Sequence, residues 1–333
     1  MLCKKCVLPE SKPDIWLNED GICNVCVEYS KTKNEDEPTA DLETNFLKVL
    51  NMYKSHGEYD CLVMCSGGKD STAALYYMKK RYKLNPLAFT FDHGFETEDA
   101  LNNVKNAVEV LGVDFLYFKT DFMRDMFSKI LKKNSKAVIC HLCSLWYMDM
   151  TFKMAARFNI PVIIAGWTKG QSKKQPLMSR CGCNINDAEF FSMAKATEEF
   201  LNEHVKNDPK YKDFPQSMEE VLLRAKKRQR CVVLSPHWFL PFGPESYVEL
   251  IKKELGWKFP RLSYPAHTTN CYLNFISVHN AMKYFGYTHY HVEMSKLIRE
   301  GSILREEAIK NLEINFDKEL LNDIAKKLDY KFE

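Results

Sequence analysis

The plainest chemical content of this 333-residue chain lies in Ser66-Gly67-Gly68-Lys69-Asp70-Ser71. An apolar run ending at Met64-Cys65 leads into it, and Ala73, Ala74, Tyr77 and Met78 follow at helical spacing. A strand, a tight loop and a helix N-terminus in that order aim several backbone N–H groups and the positive end of a helix dipole at one spot, which suits a phosphate. The two glycines let backbone come close, Ser66 and Ser71 offer hydroxyls, and Lys69 brings charge. A carboxylate beside phosphates makes chemical sense as the holder of Mg²⁺, which is the role expected of Asp70. The loop is not the Gly-x4-Gly-Lys-Ser/Thr phosphate loop, because Val63 stands where that motif has its first glycine and Asp70 where it has Ser or Thr.

Cysteines form the second chemical vocabulary. Cys3-x-x-Cys6 and Cys23-x-x-Cys26 flank sixteen residues that include Pro9, Pro13 and Gly21. Two such knuckles predict a four-cysteine zinc ribbon, with reactive redox pairs as the alternative. So short a segment has little core of its own, so Zn²⁺ would supply its folding free energy and its role would be structural. Cys140-His141-Leu142-Cys143 is a lone CxxC, a pattern that is weak evidence by itself. Either these are incidental buried thiols or they join one of the remaining cysteines (Cys181, Cys183, Cys231, Cys271) around a second metal, with Cys140, Cys143 and Cys271 as the first choice and Cys231 as the substitute.

The elements that must position these groups follow from hydrophobic periodicity. Residues 31–40 are charged and polar and predict a linker; Phe46, Val49, Leu50 and Tyr53 predict a helix leading into the loop strand. Leu87 to His93, Asp114 to Phe118 and Pro161 to Gly166 predict three more strands, with helices between them, one of them over 100–111. Buried strands alternating with amphipathic helices predict an α/β fold with a doubly wound parallel sheet, whose ligands sit at the carboxyl ends of the strands. The 66–71 loop, Asp92 and Gly166 all fall at such ends and are expected to share a site. Beyond Gly166, residues 185–230 predict one or two helices ending in Lys226-Lys227-Arg228-Gln229-Arg230, which is expected to be a solvated helix end, with an anion or RNA site as the alternative. Residues 235–300 are rich in histidine and aromatics, among them His237, Trp257, His289 and Tyr290, with core packing as the default role. Two short helices near 304–314 and 317–328 close the chain. The expected organisation is a zinc-ribbon appendage and linker at 1–38, a nucleotide-binding core at 39–183, and a mostly helical substrate- or partner-binding region at 184–333.

Composition narrows the classes. Apolar residues make 45% and charged residues 27%, with a formal charge of +3, so a sizeable core is expected and neither nucleic acid nor a membrane surface is favoured. No apolar run approaches a membrane span, and Cys-Lys-Lys-Cys stands where a signal peptide would be apolar. A cytoplasmic location is therefore expected, and there twelve cysteines are metal ligands and thiols before they are disulfides.

Ser-Gly-Gly-Lys-Asp-Ser resembles the loop of the PP-loop ATP pyrophosphatases, whose PP-loop/HUP-like fold grips the β and γ phosphates of ATP while the α phosphate is attacked. That resemblance implies ATP binding by Ser66, Gly67, Gly68, Lys69, Asp70, Ser71, Asp92 and Gly166, with Lys69 and Asp70 catalytic. Taken with Cys3-Lys4-Lys5-Cys6-Val7-Leu8-Pro9, Asp20 to Cys26, Glu249 to Trp257, Asn270-Cys271 and Ile298 to Ala308, the chain resembles the N-acetyl sugar amidotransferase family. The resemblance implies conversion of an acetamido group on a sugar or sugar nucleotide into an acetamidino group, in surface-polysaccharide (lipopolysaccharide) or nonulosonic-acid synthesis. Ammonia would come from separate glutaminase and channel subunits. The chain departs from that family after the fourth strand, where Gly166-Trp167-Thr168-Lys169-Gly170-Gln171-Ser172 replaces Gly-Glu-Asn and a glycine pair. The alternative within the superfamily is sulfur transfer to tRNA or a small molecule. There, a CxxC at a comparable distance after the loop joins a distant cysteine to hold a [4Fe-4S] cluster.

Overall fold

The computed structural model describes residues 1–32, 41–53, 57–172, 188–240, 244–268 and 270–333. Most of the expected linker, and both Cys181 and Cys183, lie outside the described residues.

Five strands form one parallel sheet: β1 (Cys61–Met64), β2 (Pro86–Asp92), β3 (Asp114–Lys119), β4 (Val162–Ala165) and β5 (Val232–Leu234), in the order β3-β2-β1-β4-β5. The helices are α1 (Asn24–Thr32), α2 (Leu42–Met52), α3 (Lys69–Lys80), α4 (Glu98–Leu111), α5 (Arg124–Lys132), α6 (Ile139–Arg157), α7 (Phe191–His204), α8 (Met218–Arg228), α9 (Pro244–Leu255), α10 (Leu273–Phe285), α11 (His289–Arg299), α12 (Arg305–Asn311) and α13 (Lys318–Ala325).

Period-two alternation decides which core each strand residue enters. Cys61 and Val63 of β1, Ala88 of β2 and Ile164 of β4 pack with Phe46, Ala73, Ala74, Leu75, Ile251 and Trp257, beneath α2, α3, α4 and α9. Leu62, Met64, Phe89 and Ile163 face the opposite layer, where Phe127, Leu142, Val221, Phe275 and Leu321 bring in α5, α6, α8, α10 and α13. β1 and β2 are buried throughout, whereas every residue of β3, at the sheet edge, is exposed or half-buried. Helix ends are set locally: the Thr97 hydroxyl accepts from the Ala100 N–H at the start of α4, and Gly112 closes it at φ +57°, a left-handed conformation that glycine adopts without a Cβ penalty.

The four N-terminal cysteines are not a free appendage. With Leu8 and Ile15 they share a core with Val138, Phe190, Met193, Tyr287 and Val292 from the main body. Arg305 donates to the Cys3 and Cys6 carbonyls at 2.9–3.3 Å. Asp14, buried, accepts from the Ser192 N–H and hydroxyl at 2.9 Å and from the Tyr287 hydroxyl at 3.1 Å.

Two expectations need amendment. β5 was not anticipated, because three apolar residues directly after a basic run give too short a pattern to distinguish from a helix end. The region 235–300 contributes α9, α10 and α11 to the cores, yet several of its polar groups are turned to the site. The basic run does form the end of α8. Arg228 is nonetheless tied to buried Asp149 at 2.7 Å, and the guanidinium of Arg230 lies over the Tyr53 ring, while Lys226 and Lys227 are exposed. No helix among the described residues is long and apolar enough to cross a membrane.

Candidate functional site

β1 runs to β2 on one side and pairs with β4 on the other, so the chain reverses its winding direction between β1 and β4. The crevice at such a switch point, outside the carboxyl ends of the strands, is where open α/β sheets bind ligands. Here it holds a cavity of about 350 Å³. Ser66, Gly68, Asp70 and Ser71 after β1, and Gly166 after β4, line it.

The loop geometry depends on its glycines. Gly67 sits at φ +79°, and a Cβ there would lie 2.0 Å from the Ala100 carbonyl oxygen. Its own carbonyl is held by the Trp257 indole N–H at 2.9 Å and by Asn103 at 3.2 Å. Gly166 allows β4 to end against the start of α3, since a Cβ would stand 2.5 Å from Ser71 Cα. Gly68 is the N-cap of α3 and no side chain caps that helix, so its first-turn N–H groups point into the loop without a side-chain acceptor. Ser71 Oγ accepts from the Ser66 N–H at 3.2 Å and lies 3.1 Å from Ser66 Oγ. Asn270 donates to Ser66 Oγ at 2.8 Å.

Asp70 is the electrostatic centre of the loop. It pairs with Lys69 at 3.0 Å, accepts a bond from the Tyr247 hydroxyl, and its backbone carbonyl lies 2.9 Å from His237 Nε2. Burial alone would raise its pKa, but Lys69, His237 and the Tyr247 hydrogen bond outweigh that and hold the carboxyl below its ordinary value. An ionised carboxylate at a helix N-terminus, facing a cavity, is a suitable ligand for a hard cation arriving with phosphates. Tyr247 and His237 come from the stretch whose expected role was packing; spacing offers no signal for them, because Tyr247 reaches Asp70 through the packing of α9 on α3 and His237 through that of the turn at 236–238 on α3.

Asp92 departs from expectation. Its carboxylate turns away from the cavity, accepting from the Gly94 N–H at 2.6 Å and from the Tyr117 hydroxyl on β3. Its neighbour His93 lines the cavity instead. Gly67 and Lys69 support the loop without lining the cavity wall.

The opposite wall carries sulfur. Cys140 and Cys143, three apart in the first turn of α6, both line the cavity, as does Cys271. Cys231 does not; it is half-buried near the Ile160 carbonyl. Cys271 reaches the site because residues 95–97 and 270–272 pair: Thr97 N–H donates to Asn270 O at 2.8 Å and Tyr272 N–H to Phe95 O at 2.9 Å. His93, Glu96 and Cys271 thereby have ligand atoms within 4.8 Å of one another, as do Cys3, Cys6, Cys23 and Cys26; Cys140 and Cys143 are in neither set. Burial lowers His93 to about 4 and raises Glu96 and Cys271, the latter further through Glu96, Cys143 and Cys140. The signal sequence reasoning passed over was His93-x-x-Glu96, at the carboxyl end of a buried strand.

The departure segment 166–172 also faces the site. Trp167 and Gln171 line the cavity, while Thr168 and Gln171 donate to half-buried Glu293 at 3.0 and 3.2 Å. His289 and Tyr290 from α11 complete that side.

At the N-terminus three of the four buried sulfurs accept backbone N–H bonds at 3.2–3.5 Å, from Lys5 and Cys23 to Cys3, from Leu8 to Cys6 and from Cys26 to Cys23. Such bonds stabilise thiolates, so this four-cysteine cluster is built for a tetrahedral soft or borderline metal ion. None of the ten described cysteines is in a disulfide.

Residues 60–152 match the QueC family, described as queuosine biosynthesis protein QueC. The match runs from β1 through the loop and the two cavity cysteines on α6, Cys140 and Cys143, and supports a PP-loop, ATP-using enzyme core for that QueC-like segment. Over 310 residues the chain is 24% identical to uncharacterized protein MJ1599 of Methanocaldococcus jannaschii, covering 87% of this chain and 92% of that protein. Among solved structures it is similar to the U34-tRNA thiolase NcsA from Methanococcus maripaludis with its [4Fe-4S] cluster, at 17% identity over 94% of this chain and 90% of that one, with a TM-score of 0.39. It is also similar to the NH3-dependent NAD synthetase from Campylobacter jejuni, at 15% identity over 67% of this chain and 97% of that one, with a TM-score of 0.32.

Proposed function

We propose that the chain transfers AMP from ATP to the carbonyl oxygen of an acetamido group on a sugar or sugar nucleotide and then exchanges that oxygen for nitrogen. The observation that carries the first half is the loop at the β1/β4 switch point: uncapped helix N–H groups, two serine hydroxyls and an ionised Asp70 meet at one cavity. An amide carbonyl is a poor electrophile with no leaving group, so its oxygen must first be activated. The oxygen attacks the α phosphorus, the bond to the β phosphate breaks, and pyrophosphate leaves with its charge met by the loop and by Mg²⁺ held at Asp70. Ammonia then adds to the imidate carbon, loses a proton, and AMP departs. No covalent enzyme intermediate is needed. The acetamido sugar as acceptor, and ammonia from a separate glutaminase, rest on the resemblance of the motifs at 3–26, 249–257 and 298–308. Zn²⁺ at the four N-terminal cysteines would be structural.

A second reading is favoured by one observation, that Cys140, Cys143 and Cys271 line the same cavity as the loop. Those thiols could hold a [4Fe-4S] cluster whose open iron delivers sulfide, and the acceptor would then be tRNA or a small molecule. A pyrophosphate-release screen on anaerobically purified protein tests both readings. Release that depends on a sugar nucleotide and ammonium, unchanged in Cys140→Ser, supports amidotransfer. Release that depends on sulfide and iron, and is lost in Cys140→Ser, supports thiolation. If Lys69→Ala keeps full pyrophosphate release, both are wrong.

A further inference from the structure

We infer that His93, Glu96 and Cys271 form a mononuclear metal site that opens into the cavity. His93 Nε2 lies 3.6 Å from Cys271 Sγ and 3.6 Å from Glu96 Oε1, and all three ligand atoms fall within 4.8 Å of one another. A tetrahedral ion with Zn–S of about 2.3 Å and Zn–N or Zn–O near 2.0–2.2 Å holds its ligands roughly 3.3–3.7 Å apart, which the two separations from His93 match, while Glu96 and Cys271 lie within 4.8 Å of each other. The donor set is one imidazole, one carboxylate and one thiol, which suits Zn²⁺ and the borderline metals close to it.

The scaffold brings these groups together without help from an ion. His93 and Glu96 follow β2, and Cys271 enters from a segment 178 positions further on than His93. The Glu96–Cys271 bridge and its flanking backbone bonds hold the two strands side by side. His93 is buried and Glu96 and Cys271 are half-buried against the cavity, and among the described residues the ion pair of Glu96 is with His93, with none to a lysine or arginine that would balance the carboxylate and thiolate formed on metal binding. A dication would balance them. Three protein ligands leave a fourth position, and all three residues line the cavity shared with Ser66 and Ser71. That is the arrangement of a catalytic rather than a structural zinc site.

The site stands whether or not the adenylation reading holds, and it makes Cys271 the partner of His93 and Glu96 rather than of Cys140 and Cys143. The full-length protein, loaded with zinc at the N-terminal cysteines, would be titrated with Co²⁺ and followed by visible absorption and elemental analysis. A second equivalent is expected, with the charge-transfer band of a single thiolate. His93→Gln and Glu96→Gln, near-isosteric changes, should each weaken that second equivalent by roughly tenfold or more. The N-terminal zinc, retained in each variant, reports that the chain is folded. Cys140→Ser should leave both equivalents in place. The inference is overturned if wild type takes up no second equivalent, if folded His93→Gln binds it unchanged, or if Cys140→Ser and Cys271→Ser lose the same metal while His93→Gln keeps it.

Discussion

At the scale of single residues, Gly67 and Asp70 carry the loop for different reasons. Gly67 is needed for backbone conformation and for space at once, so Gly67→Ala should destabilise the fold by about 1–3 kcal/mol and abolish pyrophosphate release. Denaturant titration alongside the release assay checks both effects. Asp70 depends on partners from elsewhere in the chain. Tyr247→Phe removes one of the bonds that keep it ionised, and the acid limb of the pH–rate profile should move to higher pH, with a smaller change at neutral pH. His291 makes a stability prediction. Buried at the start of α11, its Nδ1 accepts from the Thr288 N–H at 3.2 Å, and burial lowers its pKa from 6.5 to about 4. Its neutral form is the one the fold favours. It therefore contributes stability that is complete above pH 6.5 and is lost as the pH falls toward 4, at up to about 1.4 kcal/mol per pH unit. Urea midpoints measured across that range should show a slope shallower by one proton in His291→Gln.

At the scale of elements, the pairing of 95–97 with 270–272 matters more than any one helix. It delivers Asn270 to Ser66 and Cys271 to His93, and so couples the C-terminal half to the phosphate loop. Asn270→Ala removes one hydrogen bond, with a stability cost of about 1 kcal/mol, but leaves the Ser66 hydroxyl with Ser71 as its remaining partner; a roughly tenfold higher KM for ATP with near-wild-type melting is the expected result of steady-state assays. The strands β1, β2 and β4 and the helices beside them were evident from periodicity, because parallel strands covered on both faces are continuous apolar runs. β5 was not, at three residues. Nor were the roles of His237, Tyr247 and His289, since an aromatic or histidine facing a cavity and one facing a core leave the same mark on a sequence.

For the whole molecule, the N-terminal four-cysteine unit is part of the body. Its core is continuous with Val138 at the start of α6, with Phe190 and Met193, and with Tyr287 and Val292 around α11, and Arg305 caps its knuckles. Chelating its metal should therefore lower the single melting transition of the entire chain, by roughly 5 °C or more, instead of releasing a tail from an unchanged core. Calorimetry with and without a thiol-competitive chelator distinguishes these outcomes.

What the sequence determined by itself is local. Two CxxC knuckles specify a metal unit, and strand, Gly-Gly turn and helix specify a phosphate loop, because spacings of a few residues translate directly into geometry. What only the tertiary structure decided is which distant groups meet there. Asp92 turned aside to Gly94 and Tyr117, His93 took its place at the cavity, and Cys271 came to stand beside His93 and Glu96 through a backbone pairing between segments far apart in the chain. Such meetings follow from how whole layers pack, and no periodicity in the sequence encodes them.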